Sequence, residues 1–568
     1  MTPRLLRAGR AAALALAAAP AAPALAQSPG SFLPGAEAGR AAPAALAPDT
    51  PAPPAPLTPG PAGAGVTLRG VRLEGASAVP PGELAPLWSG LIGTEVTLAT
   101  LNELAEAIGA AYRARGFVLS QAVLPPQTVA DGVVAIRVVE GFIADVTVTG
   151  GAPNQNAAAA TLFAPVPADR PLRIETLERA VLLSRDFLGG EVETLLEPAA
   201  DTFGAADLTV AVAQNPFDGF VSVDNRGSRL YGEASFATGA TAYNLLGLNE
   251  KLDFLAAGAF DSSLGFVQGG IAIPLLGLAG TWADGATLEL EADYADGAPD
   301  LAQSGAPDAQ TLTTEETNLR LALSVPFLRT RAQNLRLDLG LEWQDSSNVT
   351  GLGADEVTED DRLLVLDAHL AWDRADRWGG VSLVEAGLRQ GIDASDTFVG
   401  GGVSNGVPDF TLMTLELARL QRLGQGPWAL WLEGMGQYAL DILPNSERFG
   451  LGDATIGRGY APGNTTGDSG YGGRAELRYG VDPARLAGFA EGAELYAFGD
   501  YGRAYDRDGE RDGRRWETLA SAGAGVRLDV RPWLTIIPEI ARQLDGQATD
   551  TTDRHKETRL YLSVVARF

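Results

Sequence analysis

The chain contains no cysteine among its 568 residues, which excludes disulfides and thiolate-bound metals outright. Histidine is almost as scarce: only His369 and His555 occur, so an imidazole-activated nucleophile has few ways to be assembled. Long apolar runs are missing too. No stretch beyond the first residues reaches the roughly 18 uninterrupted apolar positions a spanning helix needs. No nucleotide-binding loop or metal-ligand cluster is apparent. Positive charge is in short supply, with 43 Lys and Arg against 71 Asp and Glu and a net charge of −28. Such a surface repels nucleic acid, which is not an expected partner.

Both ends carry a signal. Arg4, Arg7 and Arg10 precede the apolar run Ala11–Ala19, and Ala24-Leu25-Ala26 offers a small-residue cleavage site before Gln27. Residues 1–26 are expected to be a secretory signal peptide, too short in its apolar part to be an anchor. Its removal subtracts three arginines and takes the charge to −31. At the other end, Leu560, Leu562, Val564, Ala566 and Phe568 fall on one face of a strand, and Tyr561, Ser563, Val565 and Arg567 on the other. That alternation predicts a closing strand that pairs with the first strand of a barrel.

Between the ends, composition divides the chain. Residues 27–65 hold ten prolines among many alanines and read as a linker. Ala36–Leu46 could start a short helix, but Pro43 and the prolines after it argue against extension. Residues 66–142 read as a small α/β unit: a strand at Val66–Leu73, a helix carrying Leu98, Leu101, Leu104, Ala105, Ile108 and Tyr112 at helical spacing, and a strand at Val133–Val139. Residues 143–214 read as a second copy, with strands at Ile143–Val148 and Leu208–Val212 and a helix around Leu172–Ser184.

From 215 to 568 the periodicity becomes two. Leu288, Leu290, Ala292 and Tyr294 alternate with Glu289, Glu291 and Asp293, and Leu335, Leu337, Leu339, Leu341 and Trp343 alternate with Arg336, Asp338, Gly340, Glu342 and Gln344. Leu252, Phe254, Ala256, Gly258 and Phe260 form a third apolar row. So many strands with a charged second face suit a membrane β-barrel, lipid outside and water inside, better than a soluble sheet. The length allows about 16 antiparallel strands at roughly 10 residues each plus turns.

Several strings then carry a resemblance. Tyr112-Arg113-Ala114-Arg115-Gly116-Phe117-Val118, Leu124-Pro125-Pro126-Gln127 and Val139-Glu140-Gly141 resemble the first POTRA (polypeptide-transport-associated) domain of two-partner secretion transporters. These TpsB proteins include the haemolysin and filamentous-haemagglutinin exporters. Leu177-Glu178-Arg179-Ala180-Val181-Leu182-Leu183 and Gly204-Ala205-Ala206-Asp207-Leu208 resemble the second POTRA domain, and Val223-Asp224-Asn225-Arg226-Gly227-Ser228 with Gly232 resembles the start of the barrel. The resemblance implies two periplasmic POTRA domains, with individual client-binding residues unassigned, that capture an unfolded Sec-exported partner. That partner is TpsA-like, large and β-helical. The resemblance also implies a barrel among outer-membrane lipids, inserted by the barrel-assembly machinery, that exports the partner and can activate it. Neither catalytic residues nor a cofactor or metal is implied.

Ser446-Glu447-Arg448-Phe449-Gly450-Leu451-Gly452, ending in Arg458-Gly459-Tyr460, resembles the family's long loop, near 446–470, that folds into the lumen. Phe498-Gly499-Asp500-Tyr501-Gly502 resembles its F-x-D-x-G motif on the inner wall. By that resemblance Arg458 bonds Asp500, with Gly459 and Tyr460 completing the loop tip and Phe498 and Gly502 flanking the partner. A guanidinium fork facing a carboxylate is a sound physical pairing, and Gly459 would let the tip turn tightly. Gly457, directly before Arg458, departs from the Val or Ile usual there.

Other readings compete. Gly402-Val403-Ser404-Asn405-Gly406 matches a nucleophile elbow, but turn residues surround it and no helical pattern follows. Asp506-Arg507-Asp508-Gly509 with Asp512-Gly513 resembles part of a calcium loop, whereas the arginines among it favour a solvated loop. A barrel-assembly or insertion factor of the same superfamily would share the loop and wall motifs. A diffusion porin would lack the α/β units.

Overall fold

The computed structural model describes residues 65–568 except 201, 215–216, 279, 305–309, 353–354, 393–397, 400–405, 487, 508–515, 547 and 550–554. The expected signal peptide and linker with its Ala36–Leu46 segment, Ser404 of the elbow-like string and most of the Asp506–Asp512 loop therefore lie outside the described residues.

In the first α/β unit, Gly70–Glu74 pairs in parallel with Val133–Val139, and Gln121–Val123 pairs antiparallel on the other side of that strand. The expected strand at Val66–Leu73 is broken in two, Val66–Thr67 and Gly70–Glu74. The break arises because the Leu68 amide donates to the Thr94 carbonyl while the Arg69 amide donates to Gly132. The helix Leu98–Arg113 starts where the Thr97 hydroxyl accepts from the Thr100 amide. Its stripe of Leu101, Leu104, Ala105, Ile108 and Tyr112 is buried against Leu68, Trp88, Val134, Ile136 and Val138.

Two of the strings quoted above meet in one joint. Glu140 accepts hydrogen bonds from the Ala78 amide at 2.7 Å, the Ser77 amide at 2.6 Å, the Ser77 hydroxyl and the Tyr112 hydroxyl at 2.9 Å. Burial works to raise the pKa of Glu140, but these donors outweigh it and the net shift is downward.

The second unit has Ala205–Gln214 as its central strand, parallel to Phe142–Thr149 and antiparallel to Gly190–Pro198. Its helices are Pro153–Phe163 and Ile174–Leu188, the latter ending at left-handed Gly189 (φ 67°). The units are joined tightly: the Leu172 amide donates to Gly141 at 2.9 Å and the Ile174 amide to Gly116 at 2.8 Å. The second unit also docks on one end of the barrel. Asp186 takes a two-pronged bond from Arg329 at 2.7 and 2.9 Å, and Arg179 reaches the carbonyls of Asp284 and Pro326 at 2.7 and 3.0 Å.

The barrel is closed and antiparallel, with 16 strands from Phe217–Asp224 to Thr558–Arg567 in neighbour order; one extra two-residue piece, Phe398–Val399, also pairs with its wall. The first and last strands share five register pairs, from Asp224 with Ser563 to Phe220 with Arg567. At one end of that seam the Asn225 side chain bonds the Leu560 carbonyl and the Leu562 amide. At the other, Gly219 and Phe568 exchange backbone bonds at 2.9 and 3.0 Å. The faces fall as expected: Leu288, Leu290, Leu339, Leu341, Trp343, Leu560 and Leu562 point outward, while Glu289, Asp338, Glu342, Gln344, Tyr561 and Val565 are buried in the interior.

Replacing Glu140 by Gln should destabilise the first unit by about 1–2 kcal/mol, as charge-assisted bonds become neutral ones. Because the folded-state pKa of Glu140 is depressed, its contribution is present above the ordinary glutamate pKa and is lost as pH falls through the lowered value. Pulse proteolysis of the detergent-solubilised chain across acidic pH measures this, and the variant should show a flatter acid limb.

Candidate functional site

The segment between strands Trp428–Ala439 and Ser469–Val481 does not stay outside the barrel. It leaves the wall at the end opposite the docked units and turns back inside. Asp468, at one root, accepts from the Leu443 amide near the other root at 2.9 Å and from the Arg507 amide of the neighbouring loop at 2.7 Å. Deeper in, Glu447 meets Arg389 in a two-pronged pair at 2.6 and 3.0 Å, and Arg389 also bonds Glu342 of the wall at 3.0 Å. Arg448, the next residue, pairs with Asp506. Consecutive residues thus brace the loop against wall strands on either side of its own two roots.

A short hairpin, Phe449–Leu451 with Thr465–Gly467, continues inward. Its Phe449, Leu451 and Ile456 are buried with Ala504 and Leu519. Room comes from wall glycines: a Cβ at Gly502 would stand 2.8 Å from Leu451, and one at Gly472 would stand 2.7 Å from Ile456.

The loop tip reaches the strand that carries Asp500, as the motifs led one to expect, but by different atoms. Asp500 accepts the backbone amide of Gly457 at 3.0 Å and that of Arg458 at 3.4 Å, and is itself held by the Ser521 amide at 3.1 Å and hydroxyl at 2.8 Å. The expected guanidinium–Asp500 bond is corrected. The Arg458 side chain runs past Asp500, 4.5 Å over the Phe498 ring, to Glu476 at 3.2 Å and Glu539 at 3.0 Å, while its Nε donates to the Ala454 carbonyl at 2.8 Å. The physical reason is the competition at Asp500, whose oxygens already face two loop amides and a serine.

The glycine roles are corrected as well. Gly457, where the string departs from its relatives, takes the left-handed conformation (φ 89°). Gly459 is needed for close approach instead, since a Cβ there would lie 3.1 Å from both the Gln543 nitrogen and the Ser521 side chain. Around it, the Gly459 amide donates to Ser521, Gln543 donates to the Gly459 carbonyl at 2.8 Å, and the Tyr460 hydroxyl donates to the Asp545 carbonyl.

Glu476 and Glu539 are the residues the sequence reading missed. Each is shared: Arg478 and Arg527 approach Glu476 at 2.7 and 2.9 Å, and Arg226 approaches Glu539 at 2.9 Å, with the Tyr496 hydroxyl bonding it at 2.6 Å. A signal was present, because Arg474, Glu476 and Arg478 alternate along one face of a strand. Burial decides the strength of the site. Arg458 is 2% exposed, Glu476 0% and Glu539 5%, so these are not solvated lumen charges worth about 0–1 kcal/mol each. Removing one member of such a buried group costs about 3–5 kcal/mol, because its partners are left uncompensated.

Two family models match this chain. Residues 66–141 match the POTRA domain, ShlB-type, and residues 282–528 match the haemolysin secretion/activation protein ShlB/FhaC/HecB. The heme/hemopexin transporter protein HuxB of Haemophilus influenzae is 29% identical over 179 residues, which are 31% of this chain and 32% of HuxB. The chain thus spans about a third of the length of the curated relatives it matches. Among solved structures, CdiB from Escherichia coli superposes with a TM-score of 0.66 at 18% identity, covering 90% of this chain and 94% of CdiB. CdiB from Acinetobacter baumannii gives 0.58 at 17%, covering 91% and 95%.

The two kinds of contact at the tip make separable predictions. Arg458→Ala should unseat the tip and raise single-channel conductance in planar bilayers, because Glu476 and Glu539 each lose a buried cation. Asp500→Asn should have the smaller effect, since the amide oxygen still accepts from Gly457 and Arg458.

Proposed function

We propose that this chain is a member of the haemolysin secretion/activation family ShlB/FhaC/HecB, whose model matches residues 282–528, and that it secretes an unfolded partner protein across the outer membrane. The observation that carries this reading is the combination of a closed barrel, a loop seated in its lumen on buried charges, and α/β units fixed at one mouth. In this reading the docked end faces the periplasm. Residues 66–142 and 143–214 act as first and second POTRA domains, the leader directs export through Sec, and the barrel-assembly machinery inserts the barrel among outer-membrane lipids.

The partner, a large β-helical protein encoded beside this gene, arrives unfolded. The outer strand Gly190–Pro198 has a single neighbour in its sheet among the described residues, so an extended client can add to its other edge by main-chain bonds that demand no unique sequence. The seated loop holds the lumen at rest through Arg458 and Glu447. It must rearrange for the client to pass, and folding of the client outside then makes retreat unfavourable. Maturation of the client to an active haemolysin or adhesin is part of the same event. The insertion-factor reading predicts other barrel proteins, not one client, as the cargo.

The test follows the neighbour-encoded client with the gene present, deleted and restored. Deletion should move the client from the medium to the periplasm, and restoration should reverse it. Loss of other outer-membrane barrels with the client unaffected would overturn secretion in favour of insertion. Restoration with Arg458→Ala should return a barrel that is inserted and heat-modifiable on gels yet exports poorly.

A further inference from the structure

The turn between barrel strands Ser235–Tyr243 and Lys251–Ala259, at the end where the second α/β unit docks, presents three leucines to the outside. Leu245, Leu246 and Leu248 are 55, 62 and 54% exposed. A surface turn usually exposes polar groups, yet this one uses its own internally. Both carboxylate oxygens of the fully buried Glu250 accept backbone amides, Leu246 at 2.7 Å and Leu248 at 2.9 Å. The Asn249 amide donates to the Asn244 side chain at 3.1 Å. From the second unit, the Asn154 amide nitrogen reaches Asn244 at 2.6 Å, the Gly247 carbonyl at 3.0 Å and Asn249 at 3.3 Å. The side chains the turn presents outward are leucines, and these bonds hold it in that form.

The surroundings match. No charged residue occurs from Ser235 to Asn249. The pairing of Ala242 with Leu252 and of Ala240 with Phe254 carries the apolar surface from the turn up the outward face of the wall, where Phe254 is half exposed. The leucines therefore continue the lipid-facing surface of the barrel below its last paired residues.

We propose that this turn is a membrane anchor whose leucines sit in the acyl region of the adjacent leaflet, and that Asn154 couples it to the second α/β unit. The occupant is lipid, because the patch is continuous with the lipid-facing wall and offers no unpaired main-chain edge to a polypeptide. The unit is then fixed relative to the bilayer as well as to the barrel. The proposal requires only that the barrel lie in a bilayer, and stands apart from the identity of the cargo.

The absence of cysteine makes a single introduced thiol a unique label site. Leu246→Cys and Leu248→Cys, each carrying an environment-sensitive fluorophore, would be reconstituted as full-length protein in phosphatidylethanolamine–phosphatidylglycerol vesicles. Glu103→Cys, on an exposed position of the helix Leu98–Arg113, serves as the aqueous control. Heat-modifiability confirms the folded barrel in each. Both leucine sites should be quenched by nitroxide-labelled acyl chains and shielded several-fold from iodide relative to the control. Iodide quenching equal to the control would overturn the proposal. So would shielding that appears only after reduced, carboxymethylated lactalbumin is added as an unfolded polypeptide, which would make the turn a client surface.

Discussion

A bilayer offers no hydrogen bonds, so every main-chain amide and carbonyl crossing it must be paired within the protein. The rest of this structure follows from that constraint. Strands can satisfy it only by closing, and the closing seam between Phe217–Asp224 and Thr558–Arg567 is short, with five register pairs. The molecule supplements it with side-chain mimicry. Asn225 offers an oxygen and a nitrogen to Leu562 and Leu560 in the positions a further strand residue would fill. Arg226, next in sequence, turns inward to Glu539 and stacks 4.6 Å over Tyr561 of the last strand. One dipeptide thus ties the seam on the outside and the charge network on the inside.

Closure also sorts the side chains. With period two, one face of each strand is committed to lipid and the other to the lumen, where charge is permitted but must be balanced as water is displaced. The loop from Leu440 to Asp468 displaces it. Its residues bring Glu447, Arg448 and Arg458 to wall partners of opposite sign, so burial of these ions is offset pair by pair. The same loop buries Phe449, Leu451 and Ile456 over wall positions kept free of side chains. Charge fixes where the loop sits, and the glycines let it approach.

Much of this could be read from the amino acids. The alternation at Leu288–Tyr294 and Leu335–Gln344 reports a lipid face because lipid acts on every second residue and leaves a local, periodic trace. Helix Leu98–Arg113 was legible for the same reason at a different period. The partner of Arg458 was not. Asp500, Glu476 and Glu539 lie on three different strands, and which of them a guanidinium reaches depends on register and on the length of the Arg side chain beyond its own backbone. Motif order brought the right strand to the loop tip but could not say that Asp500 is saturated by the amides of Gly457 and Arg458. The break between Thr67 and Gly70 was likewise invisible, since it is set by Thr94 and Gly132, both distant in sequence.

The seat of the loop sets an energetic requirement on any reading in which it moves. Its anchors are several, at Glu447, Arg448 and Arg458, with Tyr460 and Gly459 bonded to the wall beyond them. Turning a population from mostly seated to mostly unseated needs about 5.5 kcal/mol of differential binding even when the two states start only a hundredfold apart. A client that merely occupies the docked units equally well in both states supplies none of it. The difference has to come from contacts a client makes only once the loop has left, and those lie in the lumen, where Glu476 and Glu539 of the wall would be exposed to a passing chain. Water and the client's own polar backbone can then solvate the charges the loop uncovers. A polar, extended polypeptide is suited to this and a folded apolar one is not, which gives a physical reason for such a channel to accept its cargo unfolded.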